Sequence, residues 1–264
     1  MDGAFAFGRR GSSVRVRVLL NRLATALGNH PRRLTVAAVV AMAALGWLWL
    51  AVAVWDGEFS DALMPAMEGG LTVGGSALVL AMWVAMVFAM MLPTAAPTFR
   101  AYADNVGVGA ATLIAGYTTV WLVASLLATA VQLWLIHLGA LAPHMAPAGV
   151  ALSASILIAA GIYQFTPLKW ACLVRCRNPR VGDIEVGTGA VFRIGVEEGL
   201  ACLGCCWAMM AVMFAAGLMN LAAMALLGVL MGLEKLVSGV RVTYFLGVLL
   251  ILAGVILASG LVIR

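Results

Sequence analysis

Seven apolar runs, most of them near twenty residues long, divide the sequence, and no other feature limits its fold as far. They fall at residues 34–55, 73–96, 110–136, 148–167, 199–218, 219–236 and 242–262. A run of about 20 apolar residues matches the hydrocarbon thickness of a bilayer. No water reaches that layer, so each run must satisfy its own backbone as a helix. The alternating pattern of a membrane barrel is absent. With 64% hydrophobic and 10% charged residues, the composition lies far outside the soluble range. The fold class that follows is all-α: a polytopic transmembrane helical bundle of about seven spans. Residues 199–233 are too long for one span, so a tight turn is expected at Gly217–Asn220. If that hairpin is re-entrant, six spans remain.

The net charge of +5 reports orientation and not nucleic-acid binding. Residues 1–33 carry seven arginines and one acid, Asp2. They read as a basic cytoplasmic arm ahead of a transmembrane domain over 34–264. Val16, Leu19, Leu20, Leu23 and Leu27 recur in the arm at helical spacing, which suits an amphipathic helix on anionic headgroups. A disordered basic tail is the alternative. The first run starts too late and runs too long for a cleaved signal peptide. The loop 56–72 holds Asp56, Glu58, Asp61 and Glu68 and no base, and the loop 137–147 has no formal charge apart from its histidines. Arg100, Lys169, Arg175, Arg177, Arg180, Arg193, Lys235 and Arg241 fall in the other loops. The positive-inside asymmetry puts the N-terminus in the cytoplasm.

The same topology places the five cysteines toward the cytoplasmic face. Cys172 and Cys176 follow the fourth span, and Cys202, Cys205 and Cys206 fall in the first two turns of the fifth. On that reducing side structural disulfides are not expected. Spacings of three and four put Cys202, Cys205 and Cys206 on one helical face, continued by Met209, Met210 and Met213. The second span offers Met82, Met86 and Met90 at spacings of four, with Met91 and Pro93 following. Soft thiolate and thioether ligands select Cu(I), with zinc as the alternative. The candidate ligands are Cys202, Cys205 and Cys206, joined by Met90, Met91, Met86, Cys172 and Cys176. Glu197, Glu198 and Met209 are auxiliary candidates. The competing readings are methionines that fill packing gaps, cysteines that act as small hydrophobes, and acids at a helix start that complement its dipole. Glu234-Lys235 reads as an ion pair at a helix end. His30, His137 and His144 fall far from the thiols in this topology.

The segments "AMMLPTAAPTF", "YQFTPLKWACLVRCRNP" and "GLACLGCCWAMM" occur in that order. Over roughly residues 75–260 they resemble a bacterial family of unknown function described as predicted metal-binding integral membrane proteins. The resemblance implies a bound metal and a place in the bacterial cytoplasmic membrane. Its motifs fall on Met90, Met91 and Pro93; on Gln164, Thr166, Pro167, Lys169, Cys172 and Cys176; and on Cys202, Cys205, Cys206 and Trp207. Three function classes stand at this point. The first is a Cu(I) carrier, exporter or loader for a cuproenzyme, which would meet a soluble metal carrier or a membrane enzyme complex. The second is a non-catalytic accessory subunit, for which small residues such as Gly228 and Gly232 would provide helix contacts. The third is a membrane thiol oxidoreductase built on Cys202-X-X-Cys205. No ATP-binding motif or nucleophile triad is present, so active transport would need a partner or a gradient; the enzyme question stays open, with a non-enzymatic role favoured.

Overall fold

A computed structural model describes residues 31–55, 73–106, 109–141, 149–179 and 187–262. Among the described residues every regular element is helical. Helix α1 spans Pro31–Trp55. Helix α2 (Val73–Met86) passes through a π-helical turn (Val87–Met91) into α3 (Leu92–Val106). There follow α4 (Ala110–His137), α5 (Val150–Tyr163), α6 (Pro167–Arg177), α7 (Thr188–Ala211), the single turn α8 (Met213–Ala216), α9 (Leu221–Leu236) and α10 (Arg241–Val262).

Five helical stretches are long and apolar enough to cross a membrane: Arg32–Trp55, Val73–Ala103, Ala110–His137, Thr188–Ala216 and Arg241–Gly260. The α5–α6 pair, bent by 65°, makes a sixth if counted as one span. The sequence suggested about seven. The difference is α9, whose 16 residues fall short of the roughly 20 that a span needs. The turn expected before it is present. Gly217 takes φ +92°, and Asn220 caps α9 by accepting from the Ala223 N–H at 3.0 Å. Residues 1–30 of the basic arm, the acidic loop with Met64 and Met67, and His144-Met145 lie outside the described residues.

Glycines set the closest helix contacts. A Cβ on Gly116 would collide with the Phe192 carbonyl, and one on Gly195 with the Leu113 carbonyl. One on Gly199 would sit 3.0 Å from the Tyr117 carbonyl. α4 and α7 therefore run side by side in the same direction, backbone against backbone. The Gly-X3-Gly pair that permits this is Gly195 and Gly199. The pair anticipated for that role, Gly228 and Gly232, leaves room: a Cβ there would meet Met90 Cγ at 3.6 Å and Thr94 Cγ2 at 3.8 Å.

Pro93 does not end its helix. A proline removes the N–H that would bond four residues back, here to the Ala89 carbonyl. The Trp47 indole N–H of α1 donates to that carbonyl instead, at 3.1 Å. One turn earlier the register widens, and the Leu92 N–H bonds to Val87. π-helical turns of this kind cluster at functional positions. This one carries Met90 and Met91 into the protein interior.

Candidate metal centre

The site is built on α7. The side chains of Cys202, Cys205 and Cys206 are buried, and their sulfurs lie within 4.8 Å of one another. Sulfurs about 2.3 Å from a shared metal in a plane would lie roughly 4 Å apart, so a small contraction would close this cluster on one ion. The Cys205 and Cys206 sulfurs are 3.3 Å apart. A fourth sulfur comes from α6, where Cys176 Sγ lies 3.7 Å from Cys205 Sγ.

α6 reaches this place because the chain stops and restarts at "QFTP". Thr166 caps α6 by accepting from the Lys169 N–H at 3.3 Å, and Pro167 supplies the first helical residue. Tyr163, just before the break, donates its hydroxyl to the Gly204 carbonyl at 2.6 Å. Lys169 donates to the Cys205 carbonyl at 2.6 Å and pairs with Glu234 at 2.8 Å. The break thus fixes α6 across the cysteine segment and delivers Cys176 to it.

Two further elements complete the shell. Tyr117 of α4 places its hydroxyl 3.0 Å from Cys202 Sγ, and Lys235 of α9 places Nζ 3.1 Å from the same sulfur. Lys235 also donates to Thr94 Oγ1 at 2.7 Å. An ammonium drawn out of water needs a negative or strongly accepting partner. Glu234 is engaged by Lys169, so Cys202 and Thr94 serve Lys235.

The comparisons with known proteins bear on this cluster. A family described as "Copper chaperone" (PpoB2) matches residues 80–257, roughly two thirds of the chain. The chain belongs to that copper chaperone family. No curated protein and no solved structure matches it. The matched segment holds all five cysteines together with Thr94, Tyr117, Lys169 and Lys235. Copper handling is thus the business of the family, and the buried sulfur cluster is the soft-ligand group that suits it.

Several sequence expectations change within this chain. Cys202 was expected in the first two turns of its helix. It lies about four turns in, because α7 starts at Thr188 and carries Arg193, Glu197 and Glu198 inside it. These acids therefore do not complement the dipole at the helix start. Glu197 pairs with Arg193 at 3.2 Å, and Glu198 with Arg175 at 2.9 Å and the Tyr102 hydroxyl at 3.0 Å. Glu234-Lys235 is not an ion pair at a helix end, since the two side chains serve Lys169 and Cys202.

Cys172 stands apart from the cluster. Its sulfur lies against Gly204, where a Cβ would strike it. Met86, Met90, Met91 and Met209 are all buried in the core, and Met90 also borders a cavity beside α9. Among the described residues the cluster's sulfurs meet Tyr117, Lys235 and Cys176. His137 ends α4, about 30 Å along that helix from Tyr117.

Proposed function

We propose that the protein is a Cu(I) carrier of the bacterial cytoplasmic membrane. It holds the ion on Cys202, Cys205 and Cys206, with Cys176 as a fourth sulfur, and passes it to a copper-requiring partner. The observation that carries this reading is the convergence of three sulfurs from one helix face within 4.8 Å, in a helix long and apolar enough to cross a membrane. Thiolate charge at such depth is costly, at about 3 kcal/mol or more for comparable ionisable groups. A bound monovalent cation offsets that cost, so binding and deprotonation are coupled. Cu(I) is satisfied by the three sulfurs of α7 alone, whereas zinc, which more often takes four ligands, would need Cys176 as well.

Metal per chain after anaerobic purification and Cu(I) loading tests this. One Cu(I) per chain is the expected result. No retained metal would sink the proposal, and zinc retained in preference to copper would keep the site and change the function.

The donor or recipient is a soluble Cu(I) carrier or a membrane enzyme complex. The basic arm, residues 1–33, lies on the cytoplasmic leaflet, and the cluster sits in the cytoplasmic half of the bundle. Two observations support this orientation. Tyr117 is about two turns from the start of α4, and beside that end the exposed Arg193 lies early in α7, although most of the bases expected in loops stand within helices. Single accessible cysteines report the orientation. Asn178→Cys is expected to react with an impermeant maleimide only in inverted vesicles, and Leu138→Cys only in intact cells. The reverse pattern overturns the orientation.

A further inference from the structure

A cavity of about 430 Å³ lies between α1, α3 and α9. Its wall carries Met90, Thr94, Gly228 and Gly232. Thr94 is the link from this cavity to the thiols, since its hydroxyl accepts from Lys235 Nζ at 2.7 Å and the same Nζ touches Cys202 Sγ at 3.1 Å. The three cysteines are buried. We infer that this cavity is the route by which Cu(I) reaches them, with Met90 as a relay ligand and Lys235 as the cation that the incoming ion displaces.

The chemistry of the wall supports a copper route. Met90 offers a thioether, a neutral soft ligand that binds Cu(I) without holding it as a thiolate does. The two glycines keep the passage wide, because neither is pressed against a neighbour. Lys235 is mostly buried but keeps part of its surface exposed, so its stem is not wholly enclosed. The exchange of an ammonium for Cu(I) replaces one single positive charge by another, and the charge balance of the cluster is preserved. A divalent ion would add a charge, so the same device favours Cu(I) over zinc.

No electron moves in the transfer. The Cu–S bond to the delivering thiolate is replaced by one to Met90 Sδ, and that by bonds to the cysteine sulfurs. Cys202 receives the ion as the thiolate that Lys235 had paired, and the departing carrier sulfur leaves as a thiolate that takes its proton from water.

The inference rests on the copper site proposed above, and the test separates the two. Gly228→Leu and Gly232→Leu would fill the cavity. Replacing a mid-helix glycine by leucine also favours the helix, so folded protein is expected. Uptake is followed from a Cu(I)–glutathione complex, both as a rate and as a final metal content. Both glycine variants should reach the parental copper content, with loading slowed by roughly tenfold or more. Met90→Leu keeps the volume and loses the sulfur, and it too should load slowly to the same end point. Lys235→Met should load at least as fast as the parent.

A parent that takes up no Cu(I) overturns the copper site and the route with it. A parent that loads, with glycine variants that load at the same rate, overturns the route alone and leaves the cavity a seat for a lipid chain. A lowered end point in Met90→Leu makes Met90 a resident ligand and overturns the relay. Slower loading by Lys235→Met overturns the exchange.

Discussion

Lys169→Met is expected to destabilise the protein by about 3–5 kcal/mol, the cost of breaking a buried ion pair by removing one partner. Lys169 has no exposed surface, and Glu234 is 1% exposed. The ammonium gives one bond to the Glu234 carboxylate and one to the Cys205 carbonyl. Arg177 does not substitute for it, because its guanidinium bonds the Glu234 backbone carbonyl and not the carboxylate. Without Lys169 the carboxylate is buried unpaired, and the tie between α6, α7 and α9 is lost. Removal of both charges is a different perturbation, since a buried pair replaced by apolar groups is often neutral. Lys169→Met with Glu234→Leu should therefore recover much of the loss. Thermal unfolding in detergent, compared across the parent, the single and the double variant, decides the matter. A single variant as stable as the parent would refute the role of the pair.

This ion pair marks the boundary of what the sequence made legible. Helical periodicity predicted that Cys202, Cys205 and Cys206 share a face, because spacings of three and four are local geometry. The turn at Gly217–Asn220 was equally legible, since length forbids one span there and a glycine and an asparagine supply the turn chemistry. Cys176 belonged to the expected set, but its place beside Cys205 depends on the 65° break after Tyr163. The direction of such a break is set by tertiary packing.

Lys235 was misread for a related reason. A Glu-Lys dipeptide near a helix end usually faces water, and only the packing of α9 turns the two side chains to different partners. One signal was present: Glu234 and Lys235 are the only charged residues between Glu198 and Arg241. Charges that isolated in an apolar stretch are functional candidates in a membrane protein. Tyr117 gave no comparable signal, being one aromatic residue in an apolar helix. The methionine stripe of α2 was legible as a stripe but not as to its use. The structure buries all three of Met82, Met86 and Met90 in the core, and Met90 alone of them also borders the cavity.

The four sulfurs are not equivalent, and Cys205→Ser is expected to weaken Cu(I) binding most. Cys205 is the hinge of the cluster. Its sulfur lies 3.3 Å from that of Cys206 and 3.7 Å from that of Cys176, and within 4.8 Å of that of Cys202. Serine keeps the approximate volume but offers a hard oxygen that Cu(I) disfavours. Loss of an outer partner of a metal ligand costs roughly 10–100-fold in affinity, so loss of the central ligand should exceed that. Tyr117→Phe tests the outer partner directly. It removes the hydroxyl beside Cys202 and should fall within that 10–100-fold band. Cys172→Ser is the matched control, because its sulfur packs on Gly204 outside the three-thiol group. It should bind as the parent does. Anaerobic competition against a chromogenic Cu(I) chelator ranks the four proteins on one scale. Parental affinity in Cys205→Ser would remove the cluster from copper binding. Equal losses in Cys172→Ser and Cys205→Ser would show that the thiols act through packing, since only a metal-centred role distinguishes a sulfur at the centre of the group from one outside it.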